Sequence, residues 1–385
     1  VTIQDGIEND FVKNIDQSNA SYWIGLYQDT SSSGYSEPGG GWKWVTGEPV
    51  TYTNWEPFEP NNTTPGEDIC EMYPNGNWND AYENQYHKFV LEIGENNTTY
   101  VPDDNFEQAL IDLGYDNVLD DYVITDSISG VTTLNVNNDS ISDLTGIEDF
   151  TALTHLYCVG NELDSLDMSS NTALIHLTCW ANQLTSLDVS SNTALTFLWC
   201  QNNQLTSLDV SANTAITELQ CHSNNLDSLD VSTNTELEKL RCNSNQFTTL
   251  DLSNNIALDW IWCQENQLTS LDLSNNTLLE TLKCGNNQLD SLDISNNMAL
   301  TVFECQNNLF TTLDVSNNTA LTTLHCFGNQ LTGLDVSANS ALTSLKCNSN
   351  QLTTLDVSNN TALTFLRCEN NALTALDVSN NTALT

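Results

Sequence analysis

Residues 195–215 read LTFLWCQNNQLTSLDVSANTA, and near copies of this unit of 21 residues fill the chain from residue 151 to residue 385. A cysteine marks the same place in eleven successive copies, and no insertion interrupts the count. These cysteines are Cys158, Cys179, Cys200, Cys221, Cys242, Cys263, Cys284, Cys305, Cys326, Cys347 and Cys368. A fixed period of this length predicts stacked supersecondary units, and therefore a solenoid.

Each unit divides into two similar halves with apolar residues at positions 1, 4 and 6 and an asparagine at position 9. Because side chains alternate along a strand, Leu198 and Cys200 should point inward while Phe197 and Trp199 point outward. The cysteines are then small buried apolar residues rather than disulfides or metal ligands. The asparagine ladder that includes Asn203 should satisfy backbone groups of the turns and of neighbouring coils.

This pattern resembles the leucine-rich repeat, in the short cysteine-containing variety of secreted Bacteroidetes proteins that is related to internalin-like arrays. The resemblance covers about residues 130–385 and implies a β-rich solenoid of about 11 repeats over residues 151–385. Residues 96–150 are expected to hold a linker, a helix from Asp103 to Gly114 and an irregular first coil that caps the core. The final residues carry no polar cap, so we expect the array to be truncated at its C-terminus.

Two outward columns of side chains vary between repeats that are otherwise nearly identical. They contain all five basic residues of the array and three of its tryptophans. We call the following set the variable stripe: Tyr157, Phe197, Trp199, Lys239, Arg241, Trp260, Trp262, Lys283, His325, Lys346 and Arg367. Solenoids bind ligands on extended faces of this kind, and aromatic side chains can stack on sugars or anchor a protein partner. The alternative is repeat drift without a ligand.

A second outward column is uniformly acidic. It comprises Asp167, Asp188, Asp209, Asp230, Asp251, Asp272, Asp293, Asp314, Asp335, Asp356 and Asp377, which we call the aspartate ladder. Like charges at a rung spacing of ~5 Å repel each other weakly in water. The ladder is therefore either a solvated face whose carboxylates cap local backbone or a row of cation sites.

Residues 1–95 carry a different set of motifs. Trp23-Ile-Gly-Leu26 precedes three spaced tryptophans, then Glu59-Pro-Asn61, then Glu67, then Trp78-Asn-Asp80 and a closing strand that starts at Lys88. In order and spacing this resembles the C-type lectin domain, an α+β fold. The domain's usual disulfides are absent, and the family's first strand and helix, which would precede Val1-Thr-Ile-Gln-Asp5, are expected to be missing.

The resemblance implies a calcium site formed by Glu59, Asn61, Glu67, Asn79 and Asp80. Calcium prefers six to eight oxygen ligands, and these side chains supply carboxylate and amide oxygens from two loops. The family's sugar hydroxyls bind the same ion and hydrogen-bond to Glu59, Asn61, Glu67 and Asn79. A cis Pro60 is implied, and the Glu-Pro-Asn triplet implies mannose, glucose, fucose or N-acetylglucosamine. There are two alternatives to a calcium-dependent sugar site: an acidic loop that binds no calcium, or a domain that binds protein instead of sugar.

Composition excludes several classes of function. Asp and Glu number 51 against 8 Lys and Arg, a net charge of −43. Binding to nucleic acid or to anionic lipid is disfavoured, and no apolar run is long enough to insert into a membrane. No catalytic motif is present, so we expect no enzyme. The sequence thus predicts a secreted or cell-surface bacterial adhesin that binds glycans through Ca²⁺. The repeats would serve as a rigid spacer and as a second binding face, whose partners could be proteins. The alternative is a structural or protein-interaction filament without sugar binding.

Overall fold

A computed structural model describes residues 2–15, 20–31, 35–36, 38–63, 66–82, 87–90 and 97–385. The chain divides into two compact units, Val1–Asn96 and Asn97–Thr385. Within the described ranges, no helix combines the length and the apolar character needed to cross a membrane.

The first unit contains one helix and a small sheet. Helix α1 spans Gly6–Asn14, and the strands are β1 Tyr22–Gln28, β2 Trp42–Trp44, β3 Ile69–Met72, β4 Trp78–Ala81 and β5 Lys88–Phe89. The antiparallel order is β2-β1-β3-β4, and β5 pairs in parallel with the first residues of β1. The expected closing strand extends beyond Phe89 to residues 91–93, which lie outside the described residues. The core packs around the buried tryptophans Trp44 and Trp78.

Helix α1 is an element that the sequence motifs did not indicate. Asp5 caps α1 by accepting hydrogen bonds from the backbone N–H groups of Ile7 and Glu8, which stabilises the first turn. The helix is fixed to the sheet through Asn9, whose side chain is buried. Its amide oxygen accepts from Trp78 Nε1 at 2.7 Å and its amide nitrogen donates to the Gly76 carbonyl at 3.0 Å. A short sequence before β1 is therefore sufficient to supply this element.

The second unit begins with the predicted cap. A two-stranded sheet, β6 Thr98–Tyr100 and β7 Tyr122–Ile124, flanks helix α2 at Asp104–Asp112. Helix α3 at Thr125–Ile128 and a 3₁₀ helix at Ile147–Asp149 follow. Asp103 is the N-cap of α2, and the buried side chains Phe106 and Leu110 belong to the same hydrophobic core as the repeats. The predicted helix and its position at the end of the solenoid core are thus confirmed.

The repeats form one parallel sheet of twelve short strands, stacked in chain order. The strands are β8 Thr133–Asn135, β9 His155–Tyr157, β10 His176–Thr178, β11 Phe197–Trp199, β12 Glu218–Gln220, β13 Lys239–Arg241, β14 Trp260–Trp262, β15 Thr281–Lys283, β16 Val302–Glu304, β17 Thr323–His325, β18 Ser344–Lys346 and β19 Phe365–Arg367. Equivalent residues of adjacent repeats lie opposite each other, as Leu198 does with Leu219.

The interior contains the ladders that the period predicts. Leu198 and Cys200 are fully buried, and all twelve cysteines are free thiols. Burial raises the pKa of Cys200 to about 12, so the thiol stays protonated and unreactive. Asn203 lies beside the turn and bonds to the coil before it, accepting from the Leu184 backbone N–H at 3.0 Å. The inward assignment of Leu198 and Cys200 made from the sequence is therefore confirmed.

The aspartate ladder caps backbone. Asp251 Oδ1 accepts a hydrogen bond from the Ser253 backbone N–H at 2.9 Å, and the same contact recurs in each of the eleven repeats. The Ser253 N–H and hydroxyl together lower the pKa of the Asp251 carboxyl. Local hydrogen bonds of this kind are typical of Asp in turns and require no cation.

Candidate functional site

The loop after residue 58 carries the predicted Glu-Pro-Asn triplet. The Glu59–Pro60 peptide bond is cis, as expected. Asn62 adopts a left-handed backbone with φ of 43°, a conformation that asparagine tolerates better than most residues. The chain therefore reverses at this point and brings Asn61 close to strand β4.

Asp80 on β4 holds this loop in place. Its Oδ1 accepts from the Asn61 backbone N–H at 3.1 Å, and its Oδ2 accepts from the Asn62 backbone N–H at 2.6 Å. Asp80 is only 2% exposed, so both bonds are shielded from water. The structure thus brings together the two motifs that lie about 20 residues apart in the sequence.

Glu59 is the electrostatically unusual residue of the loop. Burial raises the pKa of its carboxyl to about 7, and a hydrogen bond to Asp80 together with the nearby charges of Asp80 and Glu67 acts in the same direction. Its Oε2 atom is buried and has no hydrogen-bond partner. A carboxylate oxygen without a donor, beside two further carboxylates, is an environment that a cation would stabilise.

Asn79 is oriented by two residues that the motifs did not single out. Its amide nitrogen donates to Glu71 Oε1 at 3.0 Å, and Glu71 Oε2 lies 3.1 Å from His87 Nε2. Glu71 is 5% exposed on strand β3. A charged residue in an otherwise apolar strand segment, Ile69–Met72, is the sequence signal that could have indicated it.

Asn61 forms contacts within its own loop. Its Oδ1 accepts from the Thr63 backbone N–H at 2.6 Å and from the Thr63 hydroxyl. Among the residues that the structure describes, no three Asp, Glu, His or Cys side chains form a metal-holding group. The proposed calcium ligands include two amides, and the unpartnered Glu59 oxygen fits a cation. Coordination would require Asn61 to exchange its contact with Thr63 for one with the ion.

The second candidate region is the variable stripe, whose residues lie in strands β9 to β19. Each of their side chains is half-buried or exposed. Its first part is aromatic. The His176 ring stacks on Phe197 with centroids 5.2 Å apart and also contacts Tyr157 and Trp199. Burial and the neighbouring His155 lower the pKa of His176, which favours the neutral form of this ring.

The middle of the stripe combines cations with indole rings. Trp262 lies between Arg241, whose guanidinium carbon is 4.4 Å from the ring centroid, and Lys283, whose Nζ is 4.3 Å from it. Trp260 packs against Trp262 at 4.4 Å. These three successive strands therefore place side chains from separate repeats in one continuous surface.

An open groove of about 530 Å³ follows at the far end of the stripe. It crosses five strands and is lined by Thr281, Lys283, Val302, Glu304, Thr323, His325, Ser344, Lys346 and Phe365. Lys283 Nζ lies 3.3 Å from Glu304 Oε1, and His325 Nε2 is 3.2 Å from the Ser344 hydroxyl. Arg367, in the last strand, forms an ion pair in which its Nη2 lies 2.5 Å from Glu369 Oε1.

Comparison with known proteins identifies the first unit. Residues 1–92 match the family described as Lectin C-type domain. The mouse low affinity immunoglobulin epsilon Fc receptor is 40% identical over 87 residues, which cover 22% of this chain and 24% of the receptor. Human C-type lectin domain family 17, member A is 38% identical over 88 residues, or 22% of this chain and 21% of that protein. The chain thus spans about a quarter of the length of these relatives.

The repeats have their own relatives. The functional domain of InlJ from Listeria monocytogenes, a solved structure described as including a cysteine ladder, is 35% identical with a TM-score of 0.56. The match covers 77% of this chain and 76% of that one. Residues 1–92 thus form a C-type lectin-like domain, and the second unit of the chain is a leucine-rich-repeat solenoid. The chain belongs to the family of leucine-rich-repeat proteins that includes this internalin domain.

Proposed function

We propose that the protein binds carbohydrate through calcium held by Glu59, Asn61, Glu67, Asn79 and Asp80. The observation that supports this most directly is Glu59, whose buried Oε2 has no donor and whose pKa is raised by burial and by neighbouring carboxyls. When bound, calcium would supply the positive charge that this group lacks. Sugar hydroxyls would then complete its coordination and hydrogen-bond to Glu59, Asn61, Glu67 and Asn79.

The same proposal places the protein at the bacterial surface or in the medium, as an adhesin rather than an enzyme. The lectin-like unit would hold glycans of the mannose, glucose, fucose or N-acetylglucosamine type. The solenoid would act as a stiff spacer, built of twelve strands that lie ~4.8 Å apart, and as a second binding face. Support comes from the two folds found in one chain and from the likeness to an internalin domain.

Calcium and glycan binding can be tested separately. Titration calorimetry of the full chain with Ca²⁺ should give saturable binding that weakens about tenfold or more in Glu59→Gln, because one charged ligand is lost. Glu48→Gln is the matched control, since it removes the same charge from an exposed position of the same unit. A glycan array in millimolar calcium should then show signals that a chelator abolishes.

A blank array beside intact calcium binding would refute the carbohydrate function. It would favour the alternative, a structural or protein-interaction filament whose lectin-like unit does not bind sugar. Absence of calcium binding in the wild-type chain would refute the metal site itself.

A further inference from the structure

Of the five cations in the middle and far parts of the variable stripe, Lys283 pairs with Glu304 and Arg367 pairs with Glu369, and the other three have no carboxylate partner. Within residues 97–385, all of which are described, Lys239, Arg241 and Lys346 form no ion pair. Arg241 has a neutral contact, from its Nε to Asn243 Oδ1 at 3.3 Å, and its side chain is half-buried. In a chain with 51 acidic residues, unpaired cations on one face, of which Arg241 and Lys346 are half-buried, indicate that the face is adapted to an anion from outside.

The shape of this region favours an extended ligand. Lys283 and Lys346 lie three strands apart in the groove that crosses β15 to β19, which corresponds to ~14 Å at the usual strand spacing. In an extended polypeptide, residues four apart are also separated by ~14 Å and point to the same side. Carboxylates at that interval could contact Lys346 directly and Lys283 beside or in place of Glu304 while the chain runs along the solenoid.

The tryptophans argue against a sugar chain as the occupant. Stacking of a pyranose requires an open ring face, and the Trp262 ring is already contacted by Arg241 and Lys283 from the two adjacent strands, at 4.4 and 4.3 Å from its centroid. The indole instead holds these two cations at fixed positions. A second copy of the chain is also disfavoured, because two molecules with a net charge of −43 repel each other.

We propose that Lys239, Arg241, Lys283 and Lys346 bind an extended acidic segment of a partner polypeptide that lies along the solenoid axis. The proposal rests on the repeat face being a binding surface, as put forward above, but is independent of calcium and of the lectin-like unit.

The test uses the full chain in the presence of a calcium chelator, so that the lectin site cannot contribute. The probe is a fluorescein-labelled peptide of serine and threonine with glutamate at every fourth residue, followed by fluorescence anisotropy. We expect saturable binding that weakens as salt is raised and that falls about tenfold in Arg241→Gln/Lys283→Gln, through the loss of two charge contacts. The same peptide with lysine in place of glutamate should not bind.

Lys13→Gln/Lys43→Gln is the matched control, because it removes two positive charges from the first unit and should leave binding unchanged. Lys346→Gln alone, which removes one half-buried charge from the groove, should weaken binding by a smaller factor than the double variant and leave the fold unchanged. Equal peptide affinity in wild type and both stripe variants would overturn the proposal. So would binding of polygalacturonate but not the peptide, or stripe-dependent self-association without peptide binding. A blank glycan array would leave the proposal standing, since the chelator already excludes that site.

Discussion

The asparagine ladder provides the sharpest test of how the solenoid is held together. In Asn203 the side-chain nitrogen donates to the Cys179 and Cys200 carbonyls, each at 3.1 Å, and the side-chain oxygen accepts from the Leu184 N–H at 3.0 Å. Replacement by alanine removes these bonds at a site that is 9% exposed. Cys179 O keeps a second donor, Asn182, whereas the Leu184 N–H has no other acceptor in the repeat unit.

The magnitude follows from these contacts. One buried donor left unpaired costs about 1–3 kcal/mol, and each lost hydrogen bond costs about 1 kcal/mol net. We therefore expect Asn203→Ala to lower the free energy of unfolding by about 2–4 kcal/mol. Gln204→Ala, on the adjacent exposed residue, should change it by less than about 0.5 kcal/mol.

The assay is urea unfolding of both variants, followed by circular dichroism. Hydrogen exchange at Leu184 gives a local measurement, because loss of the acceptor should speed exchange of that amide in the folded state. If Asn203→Ala destabilises the protein no more than Gln204→Ala does, and Leu184 exchanges as in the wild type, the ladder does not carry the interaction between coils that we assign to it.

Three further predictions concern calcium, pH and the thiols. Calcium at about a hundredfold excess over its dissociation constant should stabilise the first unit by about 2.7 kcal/mol in calorimetry, and Glu59→Gln should reduce the shift to about 1.4 kcal/mol or less at the same calcium concentration; equal melting with and without calcium contradicts this. Burial, with a smaller contribution from Arg241, lowers the pKa of His222 from 6.5 to about 4. The unfolded chain therefore takes up the proton first, and stability should fall by roughly 1–2 kcal/mol as pH drops from about 6.5 to about 4, after allowance for solvent screening. His222→Gln should lack this component, and identical urea midpoint shifts in the two proteins would count against it. Iodoacetamide should leave the thiols of the native protein unmodified except at the half-buried Cys368, since the other cysteines are buried. Rapid modification of several cysteines in the native protein, detected by mass spectrometry, would disprove the closed core.

The solenoid could be predicted because every repeat places its apolar residues at the same positions. Leu198 inward and Phe197 outward follow from alternation alone, and Phe303 occupies the inward slot in its repeat as its position implies. Thr178 is the exception, since it is assigned to the outward side but is 2% exposed. It lies in register between Tyr157 and Trp199, whose larger rings cover it. Exposure of a small side chain depends on its neighbours in adjacent repeats, which a single repeat does not specify.

The first unit was less predictable because its contacts join distant segments. The triplet at Glu59 and the cis Pro60 could be predicted from motif order, and the structure agrees about the peptide bond. Helix α1 was missed because its stability comes from the Asp5 cap and from Asn9 bonding to Trp78, 69 residues away. Glu71 was missed because the charge within the apolar segment Ile69–Met72 marks it as unusual but does not identify its partner Asn79, eight residues away.

Hydrogen-bond satisfaction separates structural charges from candidate functional ones in this chain. Asp251 and Glu59 are both acidic residues in an acidic protein, but Asp251 accepts from Ser253 and has a lowered pKa, whereas Glu59 has a buried oxygen without a donor and a raised pKa. The cations divide in the same way: Arg367 pairs with Glu369, and Arg241 pairs with no carboxylate. Repetition of the aspartate ladder therefore reflects a backbone requirement repeated in every coil, whereas Glu59 Oε2 and the Arg241 charge lack such a local partner and could be compensated by a ligand.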